Sequence, residues 1–259
     1  MTQAIDNRLT PKGLISAVLM AGTVMMGAAN FGHAQPQNQA EPASHASLRD
    51  LGAQLEVGDV VFIRIPSQPF TTVANTTSSW TNHVGIVSDV SGVEPVIAES
   101  RVPFSGNTTW SRFVGRSDAG RVAVARLSKP LDEGQQIKVR QAVEARRGIL
   151  YDTGFDLHSN RQFCSRYVRE VLEIAAGVKL GEVENFEILL KRNPQANQTF
   201  WRMWYFGKIP WQRETVTPAS LLRDDRMNVY FDGYVDNRDY SVQAKFSALQ
   251  QLIKRGSGK

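Results

Sequence analysis

The chain has 259 residues, 42% hydrophobic and 21% charged, with a net charge of +5 and one cysteine. A single cysteine excludes an internal disulfide framework and a multi-cysteine metal site, and this apolar share excludes an intrinsically disordered chain. The basic residues are spread out rather than gathered into a stripe, which suits an anionic surface such as wall polymer or lipid head groups better than nucleic acid.

At the N-terminus, Arg8 and Lys12 precede an apolar run from Leu14 to about Ala29, and Gly32-His33-Ala34 supplies small residues at a cleavage point. That layout predicts a signal peptide over 1–34, hence an exported, periplasmic or extracellular protein. Its removal takes away Asp6, Arg8 and Lys12 and leaves a net charge of +4. The polar stretch 35–50 reads as a flexible leader, and 51–259 as one domain.

LEVGDVVFIRIP (55–66) predicts a strand after a Gly58-Asp59 turn, and the polar run at 67–82 a loop. HVGIVSDV (83–90) and PVIAES (95–100), separated by Ser91-Gly92, predict an antiparallel hairpin with His83 and Glu99 almost opposite on one face. Residues 101–120 read as turns and RVAVARL (121–127) as a strand. Residues 131–149 carry acidic residues first and basic residues last, the marks of a helix. YDTGFDLHS (151–159) predicts a loop.

A second helix follows, with Ser159 and Gln162 as a capping box and Cys164 in the first turn. A thiolate there is stabilised by free backbone N–H groups and the helix dipole. Tyr167, Val168, Val171, Leu172 and Ala175 form its apolar stripe, and Cys164 lies beside it, so a packing role also stays open. Residues 179–214 form an aromatic-rich insertion. Within it TFWRMWYFGKIPW (199–211) is either a flap packed on the core or an amphipathic lid or membrane-surface patch with Arg202, Lys208 and Arg213. A short helix at Thr217-Pro218, a strand at 227–233 and a C-terminal helix complete the pattern.

A nucleophilic cysteine needs a base and a group to orient that base. His83 is the natural base and Glu99 the carboxylate able to accept its second N–H. His158 is a local alternative base, Asp59 and Asp152 suit turn hydrogen bonds, and His45 lies in the leader. The histidines lack ligand-like spacing, so no metal is expected.

The blocks GDVVF, NHVGIV, VIAES, YDTGF and FCSRYV, in that order, resemble the permuted NlpC/P60 papain-like hydrolases of the YiiX/YaeF-like branch, over about residues 55–230. There the histidine strand precedes the cysteine helix. The resemblance implies an α+β, permuted papain-like fold, with an antiparallel sheet packed against a helix that carries the cysteine at its N-terminus. It implies Cys164 as nucleophile, His83 as base, Glu99 as orienting residue and no cofactor. Tyr151, Asp152, Trp201 and Trp204 are the candidate substrate contacts.

The expected activity is hydrolysis of amides in peptide-like cell-wall substrates through an acyl-enzyme. Two alternatives stand beside it: an acyl-ester or phospholipid hydrolase or acyltransferase of the lecithin:retinol acyltransferase-like kind, and a non-catalytic module binding wall fragments or acyl chains. A redox role would require a partner thiol, since no C-x-x-C exists.

Overall fold

The computed structural model describes residues 44–236. The expected signal peptide, the expected leader up to residue 43 and the C-terminal helix expected beyond 236 lie outside the described residues. Residues 44–50, expected from their polar composition to belong to a flexible leader, carry regular structure. Strand β1 (Ser44–Ser47) pairs in parallel with the last strand, and helix α1 (Leu48–Gly52) follows at once. Backbone pairing and the burial of Leu48 and Leu51 hold this segment despite its polar side chains.

The central sheet continues with β2 (Val60–Ile63), β3 (His83–Asp89), β4 (Val96–Glu99), β5 (Gly106–Thr109), β6 (Arg121–Leu127) and β9 (Met227–Asp236), in spatial order β1-β9-β6-β2-β3-β4-β5. Apart from the β1–β9 pair, neighbouring strands are antiparallel. Central strands β2 and β6 are apolar at nearly every position because both sheet faces are covered. Val60, Phe62, Val84, Ile86, Ala98, Ala123 and Ala125 face one helical layer. Val61, Ile63, Val87, Ile97, Val122 and Val124 face the other.

The first layer is the antiparallel-sheet partner the motif order implies. It holds α4 (Glu133–Ala145), opened by an Asp132–Gln135 capping box, and α5 (Cys164–Ala176), closed by Gly177 in the left-handed conformation. On α5 the stripe Val168, Val171, Leu172 and Ala175 is buried against the sheet. The second layer is α1 with α3 (Trp110–Val114), whose Trp110 and Phe113 are fully buried.

Two stretches read as loop or turns contain structure. Residues 67–82 carry helix α2 (Phe70–Thr76), and 101–120 carry β5 and α3. Threonine- and glycine-rich local sequence hides both elements, and packing decides them. The aromatic insertion folds as β7 (Val183–Asn185), α6 (Phe186–Arg192), α7 (Gln198–Trp204) and β8 (Glu214–Val216), followed by α8 (Pro218–Leu222) with its Thr217–Ser220 capping box. Its inner face is a small core of Phe186, Leu190, Ala196, Trp201 and Ile209. Its outer face leaves Met203 and Phe206 almost bare.

Candidate active site

His83 opens β3 and Glu99 closes β4, so in an antiparallel pair both lie at the same end of the sheet. The register Ile86↔Ala98 sets them two positions off direct opposition, on one face. This diagonal placement is within reach of long side chains. His83 Nε2 meets Glu99 Oε2 at 2.6 Å, with both side chains essentially removed from solvent.

Neighbours missed by sequence reading complete the support. Arg116, just after α3, donates from Nη2 to both Glu99 oxygens at 2.8 Å, and Arg101 Nε lies 3.6 Å from Oε1. Phe113 packs along the imidazole with ring centres 5.7 Å apart, and Phe70 meets its edge at 6.1 Å. Gly85 makes the Phe113 contact feasible. A Cβ there would lie 2.6 Å from Ile97 Cγ2 and 2.9 Å from Phe113 Cε2. The glycine of HVGIV therefore serves close approach of the α3 layer. Asn82, just before His83, spends both amide atoms on the Ile65 backbone and fixes where β3 begins.

The expected Ser159 cap is not the one used. Phe163 is the N-cap without a side-chain bond, and Cys164 is the first helical residue. The Ser159 hydroxyl instead donates to Asp152 Oδ2 at 2.6 Å, because residues 159–163 run as a loop. The backbone N–H of Cys164, at the first helical position, has no partner within the helix. Three contacts place that start. Ser100, next to Glu99, donates to the Gln162 carbonyl; Gln162 exchanges backbone bonds with Leu150 and Asp152; and Ser165 donates to Val216 O on β8. The end of β4 and the start of α5 are thereby tied together.

Burial alone would push the His83 imidazole down. The neighbouring Cys164, then Glu99, which accepts from Nε2, outweigh burial and pull it up to about 9. With Nε2 on Glu99, Nδ1 is buried and has no hydrogen-bond partner among the described residues, so it is the nitrogen free to exchange a proton with a nucleophile. Burial would also raise the Glu99 carboxyl, but His83 and then Arg116 hold it below the usual range. Burial, followed by the charge and hydrogen bond of Cys164, pushes the Tyr151 phenol well above its ordinary value, which keeps its proton in place beside the sulfur. The cluster thus holds a readily charged imidazole and a neutral phenol.

Cys164 opens onto a narrow slot of about 40 Å³, whose walls include Tyr151, Phe155, Phe163 and Trp201. Of the four expected substrate contacts, Tyr151 and Trp201 line it; Asp152 and Trp204 do not. Asp152 accepts from the Gly154 and Asp156 amides and from Ser159, organising the loop, and Trp204 Nε1 donates to Thr153 O on the outer side. His158 is far more exposed and pairs with Glu214 at 2.7 Å. Asp59 is buried, paired with Arg126 and bonded to Tyr230. His45, read as part of an inert leader, stacks on Tyr234.

Comparison with known proteins bears on this arrangement. YiiX of Escherichia coli (strain K12), an uncharacterized protein, is 25% identical over 168 residues, covering 65% of this chain and 82% of YiiX. The crystal structure of the metalloprotein YiiX from Escherichia coli O157:H7 superposes with a TM-score of 0.65 at 24% identity, covering 70% of this chain and 99% of that one, which is a likeness of fold. The family described as "Permuted papain-like amidase enzyme, YaeF/YiiX, C92 family" matches residues 54–230, from just before β2 into β9. Since that match spans most of the chain and every element of the cluster above, the chain belongs to the permuted papain-like amidases, a family of cysteine hydrolases.

Proposed function

We propose that this chain is an exported amidase in which Cys164 is the nucleophile, His83 the general base and acid, and Glu99 the residue that orients and charges the imidazole. The observation that carries the reading is a His83 imidazole held at 2.6 Å by Glu99 on one nitrogen, with its other nitrogen buried and unpartnered among the described residues, in a cluster where Cys164 raises the ring's pKa. The Cys164 thiolate adds to the amide carbonyl. The oxyanion takes hydrogen bonds from the Cys164 backbone N–H and the Tyr151 hydroxyl. The C–N bond breaks as His83 gives its proton to the leaving amine, and a thioester remains. Water, deprotonated by His83, adds to the thioester; the carboxylic acid leaves and the Cys164 thiolate returns.

Arg116 and Arg101 keep Glu99 ionised, so the imidazolium that forms in each half-reaction meets a fixed negative charge. The apolar N-terminal run and the basic net charge support export and work beside an anionic envelope, without choosing among its amides. The solved YiiX is described as a metalloprotein. Among the described residues of this chain no group of three His, Cys, Asp or Glu side chains converges to hold a metal ion, and no step above is routed through one.

The test is the pH dependence of Cys164 alkylation by iodoacetamide in the wild type and His83→Ala. The expected result is a thiol with an apparent pKa well below ~8.5 that returns toward that value without His83. A thiol of ordinary reactivity, indifferent to His83, sinks the amidase reading and leaves a non-catalytic binding module.

A further inference from the structure

We infer that the outer face of the aromatic insertion is a docking tip that seats the chain on a bilayer containing anionic phospholipid; the inference does not depend on the amidase reading. Helix α7 turns Trp201 inward, while Met203 is 76% exposed and Phe206, just past the helix, 98% exposed. Phe206 has a φ of 52° and Gly207 a φ of 98°. That left-handed backbone is ordinary for glycine or asparagine and costs a bulky residue free energy. A buried ring offsets such a cost by packing, but this one meets almost only water. Nothing within the described fold explains a phenylalanine there.

The tip is braced from below. Trp204 Nε1 donates to Thr153 O, Tyr205 Oη donates to Gly154 O, and the Tyr205 ring packs on Phe186 and Trp201. The Gly207 N–H closes the turn on Arg202 O at 2.7 Å. Cations flank it. Residues 191–213 hold Lys191, Arg192, Arg202, Lys208 and Arg213 and no Asp or Glu. Arg213 is engaged by Gly154 O and Asp156, and Arg192 by Glu182 and Glu184. Arg202 and Lys208 have no ion-pair partner among the described residues. Met203, Phe206 and Lys208 border one surface concavity, whose charged members are Lys208 and Arg213.

Apolar side chains flanked by lysine and arginine suit a lipid interface: the ring enters the acyl boundary while the cations meet head-group phosphates. A protein partner fits less well. One phenylalanine covers about 150–250 Å². Phe206 with Met203 therefore falls well short of the roughly 800 Å² per side of a stable protein interface. A protruding ring also needs a matching pocket on a rigid partner, whereas acyl chains close around it.

The experiment places the environment-sensitive fluorophore nitrobenzoxadiazole at Met203→Cys in the full chain carrying Cys164→Ser, and adds vesicles of phosphatidylcholine with or without phosphatidylglycerol. The probe reports this tip alone, so contact made by the apolar N-terminal run is not mistaken for docking. Emission should shift to the blue on the anionic vesicles. A probe at Val93→Cys, a position 93% exposed between β3 and β4, should stay in water. Phe206→Asn suits the left-handed backbone and should keep or raise Tm, yet lower partitioning of the tip on the order of tenfold or more. Arg202→Gln and Lys208→Gln should each lower it about fivefold at low salt, and less at high salt. A tip that stays in water on anionic vesicles overturns the inference. So does a shift lost with the cations but untouched by Phe206→Asn, which marks attachment to an anionic surface without insertion. A dimer in lipid-free solution that Phe206→Asn disrupts also overturns it, assigning the tip to a second copy of this chain.

Discussion

Replacing Glu99 with Gln keeps the side-chain volume and an oxygen to accept from His83 Nε2, but deletes the charge now 2.6 Å from the imidazole. His83 stands at about 9 against an ordinary 6.5 although burial opposes the shift. At 1.36 kcal/mol per unit, the site favours the imidazolium by about 3 kcal/mol more than water does. Cys164 is the larger contributor and Glu99 the second, so the substitution should lower the His83 midpoint by about one unit.

The linkage has a definite sign. A raised imidazole stabilises the fold fully below its unfolded value near 6.5, and this contribution is lost as pH rises through about 9. Glu99, held low, stabilises the fold above its unfolded value near 4.5, and that contribution fades as pH falls through its lowered folded value. The stability gap between wild type and Glu99→Gln should therefore be widest near neutrality and narrow above pH 9. The direct assay is an NMR titration of imidazole-labelled protein, practical with four histidines in the sequence. Iodoacetamide reactivity at neutral pH should fall about tenfold in parallel, since a weaker imidazolium holds less thiolate. A His83 midpoint that does not move, in a variant whose near-ultraviolet dichroism is unchanged, would refute the electrostatic account of this site.

Other outcomes follow from the same contacts. Gly85→Ala forces a methyl to within 3 Å of Ile97 and Phe113, and should cost about 1–3 kcal/mol, seen as a fall of several degrees in Tm. His158→Ala should leave Cys164 alkylation at the wild-type rate and shift the urea midpoint little, because both it and its partner Glu214 are open to solvent. Asp152→Ala frees two backbone amides and the Ser159 hydroxyl. It should destabilise by about 2 kcal/mol in urea denaturation and slow alkylation through the loop that leads to Cys164.

The blocks that carry chemistry were legible because their signals are local. The alternation of HVGIV and the VIAES run, joined by a Ser91-Gly92 turn, is enough to bring residues 83 and 99 to one sheet face. The apolar stripe after Cys164 is enough to call the helix and its sheet-facing side. Helix starts were less secure. Ser159 and Gln162 match a capping box in spacing, yet the Ser159 hydroxyl is claimed by Asp152 and the helix opens four residues later. A cap motif states what a side chain can bond, and the loop packed around it decides what it does bond.

Sequence by itself determined the order of strands and helices around Cys164, the pairing of β3 with β4, and the residue types of the cluster, all governed by periodicities of two and 3.6 and by short turns. Tertiary structure alone decided that Arg116 and Arg101 sit on Glu99, that Phe113 and Phe70 enclose the imidazole, and that Trp201 from the far insertion shares a slot with Cys164. It also decided that Ser44–Ser47 is a strand, since only a partner 189 residues onward, such as Gly233 for Ser44, makes it one. These contacts join segments from different layers. They arise from burying apolar faces and satisfying buried charge in three dimensions, which no window along the chain encodes.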